Sequence, residues 1–183
     1  MDKWIGGIVA FAVVALIAWL MYRSWRRRAM RDESLTSYPL PESLGAPALA
    51  AEALYVATTP ADNPLERLAV HGLAFRGAAL VEVVAGGLIL RVAGESTTYI
   101  PAEKLVGAST ASYAIDRGVE PDGLVAVTWT PRAADDAVPA SPVDSYLRAR
   151  FTGDAARIIR AVNDIAAAPA APRPEHESEA ADG

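Results

Sequence analysis

The 183 residues contain no cysteine, which excludes disulfides, thiolate zinc sites and a cysteine nucleophile. Histidine occurs only at His71 and His176, so a metal site would have to be mostly carboxylate, and no DxDxDG-like spacing offers one. There is no GxSxG, no phosphate-binding glycine loop and no paired-carboxylate motif, and Ser109, Thr110 and Ser112 have no local His or Lys partner. Glu66, Asp62 and Glu103 are acidic, but no spacing requires them to meet. The expectation is a protein that is not an enzyme and uses no cofactor and no metal.

Charge is missing from one long stretch. Trp4 to Tyr22, WIGGIVAFAVVALIAWLMY, runs nineteen residues without a charged side chain. As a helix rising ~1.5 Å per residue, it covers nearly the ~30 Å hydrocarbon core of a bilayer. Trp4 at one end and Trp19, Tyr22 and Trp25 at the other stand where interfacial aromatics belong. A secretory signal carries its charges before the apolar run and a small-residue cleavage site after it. Here Arg23, Arg26, Arg27, Arg28 and Arg31 follow the run and only Lys3 precedes it, offset by Asp2. The reading is an uncleaved anchor, with the N-terminus outside and the rest of the chain on the cytoplasmic side of the inner (plasma) membrane. Arginine resists translocation against the membrane potential.

Residues 1–31 hold six Lys/Arg and one Asp, net +5; the remainder holds 11 Lys/Arg and 21 Asp/Glu, net −10. An acidic domain on a basic stalk argues against nucleic acid as a partner and against lying flat on anionic lipid. The expected organisation is an external stub at 1–3 and a transmembrane helix at 4–22. A basic juxtamembrane segment and proline-rich linker follow at 23–52, then a folded domain at 53–167. The acidic, proline- and alanine-rich tail at 168–183 lacks the apolar residues needed to order itself.

The folded part reads as short β runs followed by one helix. Strands are expected at Ala53–Thr58, Ala78–Val84, Leu88–Val92 and Thr97–Ile100, then more weakly at Val106–Ala114, and at Leu124–Thr130 and Ser145–Phe151. Gly86-Gly87 reads as a two-residue hairpin loop with positive φ at both positions, setting Glu82 opposite Arg91. Val125, Val127 and Trp129 share a face; Leu147, Ala149 and Phe151 lie opposite Tyr146, Arg148 and Arg150. A helix begins at an N-cap Thr152, with Asp154 in its first turn. Its stripe is Ala155, Ile158, Ile159, Val162 and Ile165, with Arg157, Arg160, Asn163 and Asp164 opposite. A short helical turn is also expected at Asn63–Arg67.

Several short motifs in series carry a resemblance. They are Tyr55-Val56-Ala57-Thr58-Thr59, Leu65-Glu66-Arg67, Ala69-Val70-His71-Gly72-Leu73 with Arg76, Tyr99 to Leu105, and Glu120 to Leu124 leading into Val127-Thr128-Trp129. With the anchor, this order resembles single-span actinobacterial membrane proteins whose cytoplasmic domain is pleckstrin-homology-like (PH-like). The likeness spans roughly residues 1–165 and is weaker from Ala133 to Val143 and in the last strand. It implies a seven-stranded barrel or sandwich closed by a C-terminal amphipathic helix; it brings no established activity.

Two candidate faces follow. Such a fold suggests headgroup binding through the loop after the first strand, here with Arg67, His71 and Arg76. Asp62 and Glu66 cancel that charge, which argues against phosphoinositide, and His71-Gly72 reads equally well as a turn. The second face is Tyr146, Arg148 and Arg150, suited to an acidic peptide; an open strand edge would suit a partner strand. The functional expectation is a membrane-anchored, non-catalytic adaptor holding a protein at the inner face of the membrane. The alternatives are an accessory subunit of a transporter or envelope complex, with Gly6-Gly7 and Ala10 in the span as a helix contact, and a lipid-headgroup module.

Overall fold

The computed structural model describes residues 11–23, 35–114, 117–118, 123–133 and 140–167. Trp4, Trp25, Arg26, Arg27, Arg28, Arg31 and the tail at 168–183 lie outside them. Seven β-prone runs form β1 (Leu49–Pro60), β2 (Gly77–Val84), β3 (Gly87–Val92), β4 (Thr98–Pro101), β5 (Leu105–Ala111), β6 (Leu124–Trp129) and β7 (Val143–Ala149). All pair antiparallel, in the spatial order β4-β3-β2-β1-β7-β6-β5. The outermost strands of that order, β4 and β5, are consecutive in sequence and joined only by the 3-10 turn Ala102–Lys104. So short a link obliges the sheet to curl until its edges approach, which makes a barrel. β1 serves both halves, with Leu49–Tyr55 on β2 and Ala53–Pro60 on β7. A bulge at Val56, between the pairs Tyr146↔Ala57 and Leu147↔Tyr55, bends it between them.

The interior follows the alternation. Val125, Val127 and Trp129 are fully buried together, as their shared face requires. Helix α1 (Asp154–Ala166) closes the barrel with Ile158 and Val162, both fully buried, and packs Ala155, Ile159 and Ile165 beside them. Burying such a side chain stabilises by ~1.5–3 kcal/mol. Seven strands and a C-terminal helix are the PH-like arrangement the resemblance implies.

Several local expectations fail for identifiable reasons. β1 begins four residues early, because Leu49, Ala51 and Ala53 extend the inward alternation through alanines that read as linker. Leu35 also belongs to the core cluster, and Leu35–Thr36 pairs with Arg132–Ala133. Much of the expected linker is therefore built onto the domain. The hairpin loop is Ala85-Gly86, with Val84 facing Gly87, so Glu82 lies opposite Ile89 and meets Arg91 diagonally. Gly87 is needed because a Cβ there would lie 2.2 Å from the Ile100 carbonyl oxygen. The weak fifth strand stops at Ala111, and Tyr113–Ala114 pairs separately with Arg117–Gly118. Asn63–Arg67 is a side-chain-stapled turn, not a helix: the Leu65 amide donates to Asn63 Oδ1 at 3.3 Å. Gly153, at φ +91°, caps α1 in place of Thr152. Phe151 lies beyond β7 and is 58% exposed.

Both sheet edges are blunted. At β4 the Tyr38 amide donates to the Tyr99 carbonyl at 3.2 Å. At β5, Asn163 mimics a neighbouring strand. Its Oδ1 accepts from the Ala108 amide at 2.7 Å and its Nδ2 donates to the Ala108 carbonyl at 3.0 Å. Asn163 stays exposed on the α1 face opposite the apolar stripe, and its carboxamide reaches the β5 edge from there.

The barrel also encloses a directed chain of hydroxyls. Trp129 Nε1–H can only donate, and does so to Ser145 Oγ at 2.9 Å. The Leu73 carbonyl can only accept, and takes the Tyr55 hydroxyl proton at 2.7 Å. Between them Ser145 must donate to Thr58 (2.8 Å) and Thr58 to Tyr55 (2.9 Å). Every side chain in the chain is fully buried. The chain ties the loop after β1 to the barrel wall, and burial pushes the Tyr55 pKa up to about 12.

Residues 11–23 form a helix in which every side chain is exposed, including Phe11, Val14, Leu16, Ile17 and Trp19. Arg23 lies 5.7 Å from the Trp19 ring centroid. Among the described residues no helix is long and apolar enough to cross a membrane. Residues 4–10 of the expected span lie outside them.

Candidate functional site on the outer sheet face

The loop between β1 and β2 turns inward. Leu68, Val70 and Leu73 are buried in the core cluster, and the Leu68 amide donates to the Thr58 carbonyl at 2.8 Å. Gly72 has φ +82°, and a Cβ there would sit 2.6 Å from Thr98 Oγ1, so the turn reading of His71-Gly72 holds. Arg67 is exposed and staples the loop, Nη2 donating to the Ala74 carbonyl at 3.0 Å. His71 and Arg76 are exposed, as are Leu65 and Phe75, at 61% and 75%.

The second candidate face divides. Tyr146 is buried with Leu124 and Ala126, its hydroxyl pKa raised chiefly by burial, so it is not available for docking. Arg148 and Arg150 are exposed and line a hollow that the sequence reading did not anticipate. Two rows cross the outer sheet face there. In one, Arg91, Leu80 and Glu52 are successive cross-strand partners, and the Arg150 amide donates to the Glu52 carbonyl. In the other, Ala93 bonds Ala78, Ala78 pairs with Leu54, and Leu54 with Arg148. The floor is therefore half-buried Leu54 and Leu80 with exposed Ala78, where a solvated face would be polar. The small side chains leave two hollows of about 460 and 350 Å³ that share Ala53, Ala78 and Arg150. Neither is lined by Arg67, His71 or Arg76.

Arginine stands on both flanks. Arg91 Nε lies 2.7 Å from Glu82 Oε2, and its Nη1 donates to Thr97 Oγ1 at 3.3 Å. Arg150 Nη1 lies 2.7 Å from Glu52 Oε2 and its guanidinium 5.7 Å from the Phe151 ring centroid. Arg91 and Arg150 pair there with Glu82 and Glu52, and Arg148 stands beside them, on an otherwise acidic domain. The sequence signal for Arg91 was its proximity to Glu82. For the floor it was leucine at two outward positions, hidden in runs that read as uniformly apolar. Among the described residues no cluster of three His, Asp or Glu could hold a metal ion.

No curated protein matches the chain. The sequence model of the family described as Bacterial PH domain-like matches residues 35–163, from the first core residue, Leu35, to the edge-capping Asn163. With the barrel, its closing helix and a match over more than half its length, the chain belongs to the bacterial PH domain-like family.

Proposed function

We propose that this protein is a membrane-anchored, non-catalytic adaptor whose PH-like domain, on the cytoplasmic side of the inner membrane, holds a protein partner. The observation that carries the docking role is the arginine-flanked, leucine-floored hollow on the outer sheet face. An apolar floor without cover on a folded surface is a feature of interaction sites. The bare apolar helix at 11–23, ending at Arg23, supports the anchor; helices apolar all round belong in cores or membranes. The buried hydroxyls of Tyr55, Thr58 and Ser145 are spent on one another and on the Leu73 carbonyl, which supports a binding role over a catalytic one. A pull-down from intact membranes should enrich a partner over an anchor-only control; no enrichment refutes the adaptor.

A second reading rests on Leu65 and Phe75, exposed apolar side chains on the same loop as Arg67 and Arg76. That pairing suits insertion into a lipid surface. It requires the full-length protein in a neutral nanodisc to capture anionic vesicles in a salt-sensitive manner.

A further inference from the structure

We propose that the hollow takes an extended acidic segment of a partner protein and that Glu52 is a placeholder for one of its carboxylates. This deepens the protein-docking reading above and rests on it. Glu52 and Arg150 form an ion pair 2.7 Å long whose side chains are 53% and 68% exposed. Such exposed pairs are held weakly, so an incoming carboxylate exchanges with Glu52 at little cost. Once the segment's apolar side chain covers Leu54 and Leu80, the new pair with Arg150 is better shielded from water than the one with Glu52.

The sheet sets the spacing. Arg91 on β3 and Arg150 beyond β7 are separated by three strand intervals, since β2 and β1 lie between. At ~4.8 Å per interval the backbones stand about 14 Å apart. An extended chain crossing the strands covers ~3.3 Å per residue, so side chains four apart match that span and point the same way. The side chain midway between them lands on the leucine floor. The expected ligand pattern is acid-x-apolar-x-acid.

The test uses the full-length protein in neutral-lipid nanodiscs and two fluorescein-labelled peptides of one composition. Gly-Glu-Thr-Leu-Thr-Glu-Gly has the spacing; Gly-Leu-Thr-Glu-Glu-Thr-Gly does not. Fluorescence anisotropy should show the spaced peptide binding at least ~5-fold tighter, with affinity falling as salt rises. Glu52→Gln, which removes the competitor, should tighten it ~3-fold or more; Arg150→Gln should weaken it ~10-fold. Arg160→Gln, on the helix, should leave it unchanged. Equal binding of the two peptides, no binding of either, or weaker or unchanged binding in Glu52→Gln overturns the proposal. A partner recovered from membranes alongside such a result would leave the adaptor standing without this mode of recognition.

Discussion

Tyr55→Phe is the most informative substitution, because it removes one atom from a chain in which each hydroxyl has a fixed task. The Leu73 carbonyl loses the donor at 2.7 Å, and Thr58 loses the acceptor at 2.9 Å. No water reaches either, since Tyr55, Thr58 and Leu73 are fully buried. The lost bond costs ~1 kcal/mol and the stranded polar groups ~1–3 kcal/mol more, so about 2–4 kcal/mol is expected. Urea unfolding of the full-length chain in micelles, followed by the far-ultraviolet strand signal, measures it. A pH series supplies an independent check. Tyr55 titrates at about 12 folded, against 10 unfolded, so the folded state holds the proton more tightly. Below pH 10 both states are protonated and the full stability is present. Above it the unfolded chain ionises first, and stability falls toward pH 12 by up to ~1.4 kcal/mol per unit. In Tyr55→Phe the alkaline loss should shrink without vanishing, because burial also raises Tyr38, Tyr99 and Tyr146. A loss of stability under ~1 kcal/mol, or an unchanged alkaline slope, would refute the directed chain.

Gly72→Ala should destabilise by ~2 kcal/mol or more, since it combines a left-handed φ of +82° with a Cβ 2.6 Å from Thr98 Oγ1 and 2.7 Å from the Ser96 carbonyl oxygen. Gly94→Ala, at φ +85° in open space, should cost only ~1 kcal/mol, and equal urea midpoints would contradict the packing argument. Asn163→Ala should cost ~2 kcal/mol and speed hydrogen exchange at the Ala108 amide; unchanged exchange would mean Asn163 does not guard the β5 edge. Deleting residues 4–22 should move the protein from the carbonate-resistant membrane pellet to the supernatant; retention in the pellet would place the membrane contact in the domain.

Local chemistry was enough to read the strands as strands. β-branched runs beside glycine and proline turns marked β2, β3, β4 and β6, alternation marked β7 within two residues, and the β6 triad Val125, Val127 and Trp129 and the α1 stripe through Ile158 and Val162 went inward as their periods demanded. Half of the candidate site was legible in the same way, because alternation along β7 put Arg148 and Arg150 outward. Tyr146 shares that parity, yet it is buried, since Leu124 and Ala126 on β6 pack against it. Periodicity assigns a side chain to a face and says nothing of what covers that face.

Tertiary structure decided what depends on neighbours far apart in the chain. The hairpin register moved Glu82 from opposite Arg91 to a diagonal, because Gly87 pairs with Val84 and Pro101 as part of β3 and does not stand in the loop. Asn163 meets Ala108 across 55 positions, and Ser145 meets Thr58 across 87. The hollow exists because β3, β2, β1 and β7 lie side by side, so that Arg91 and Arg150 flank the same leucines. Composition and period acted within single segments, where neighbours along the chain set the side chain's direction. Pairing order, edge capping and the site itself waited on barrel closure, which brings those segments together.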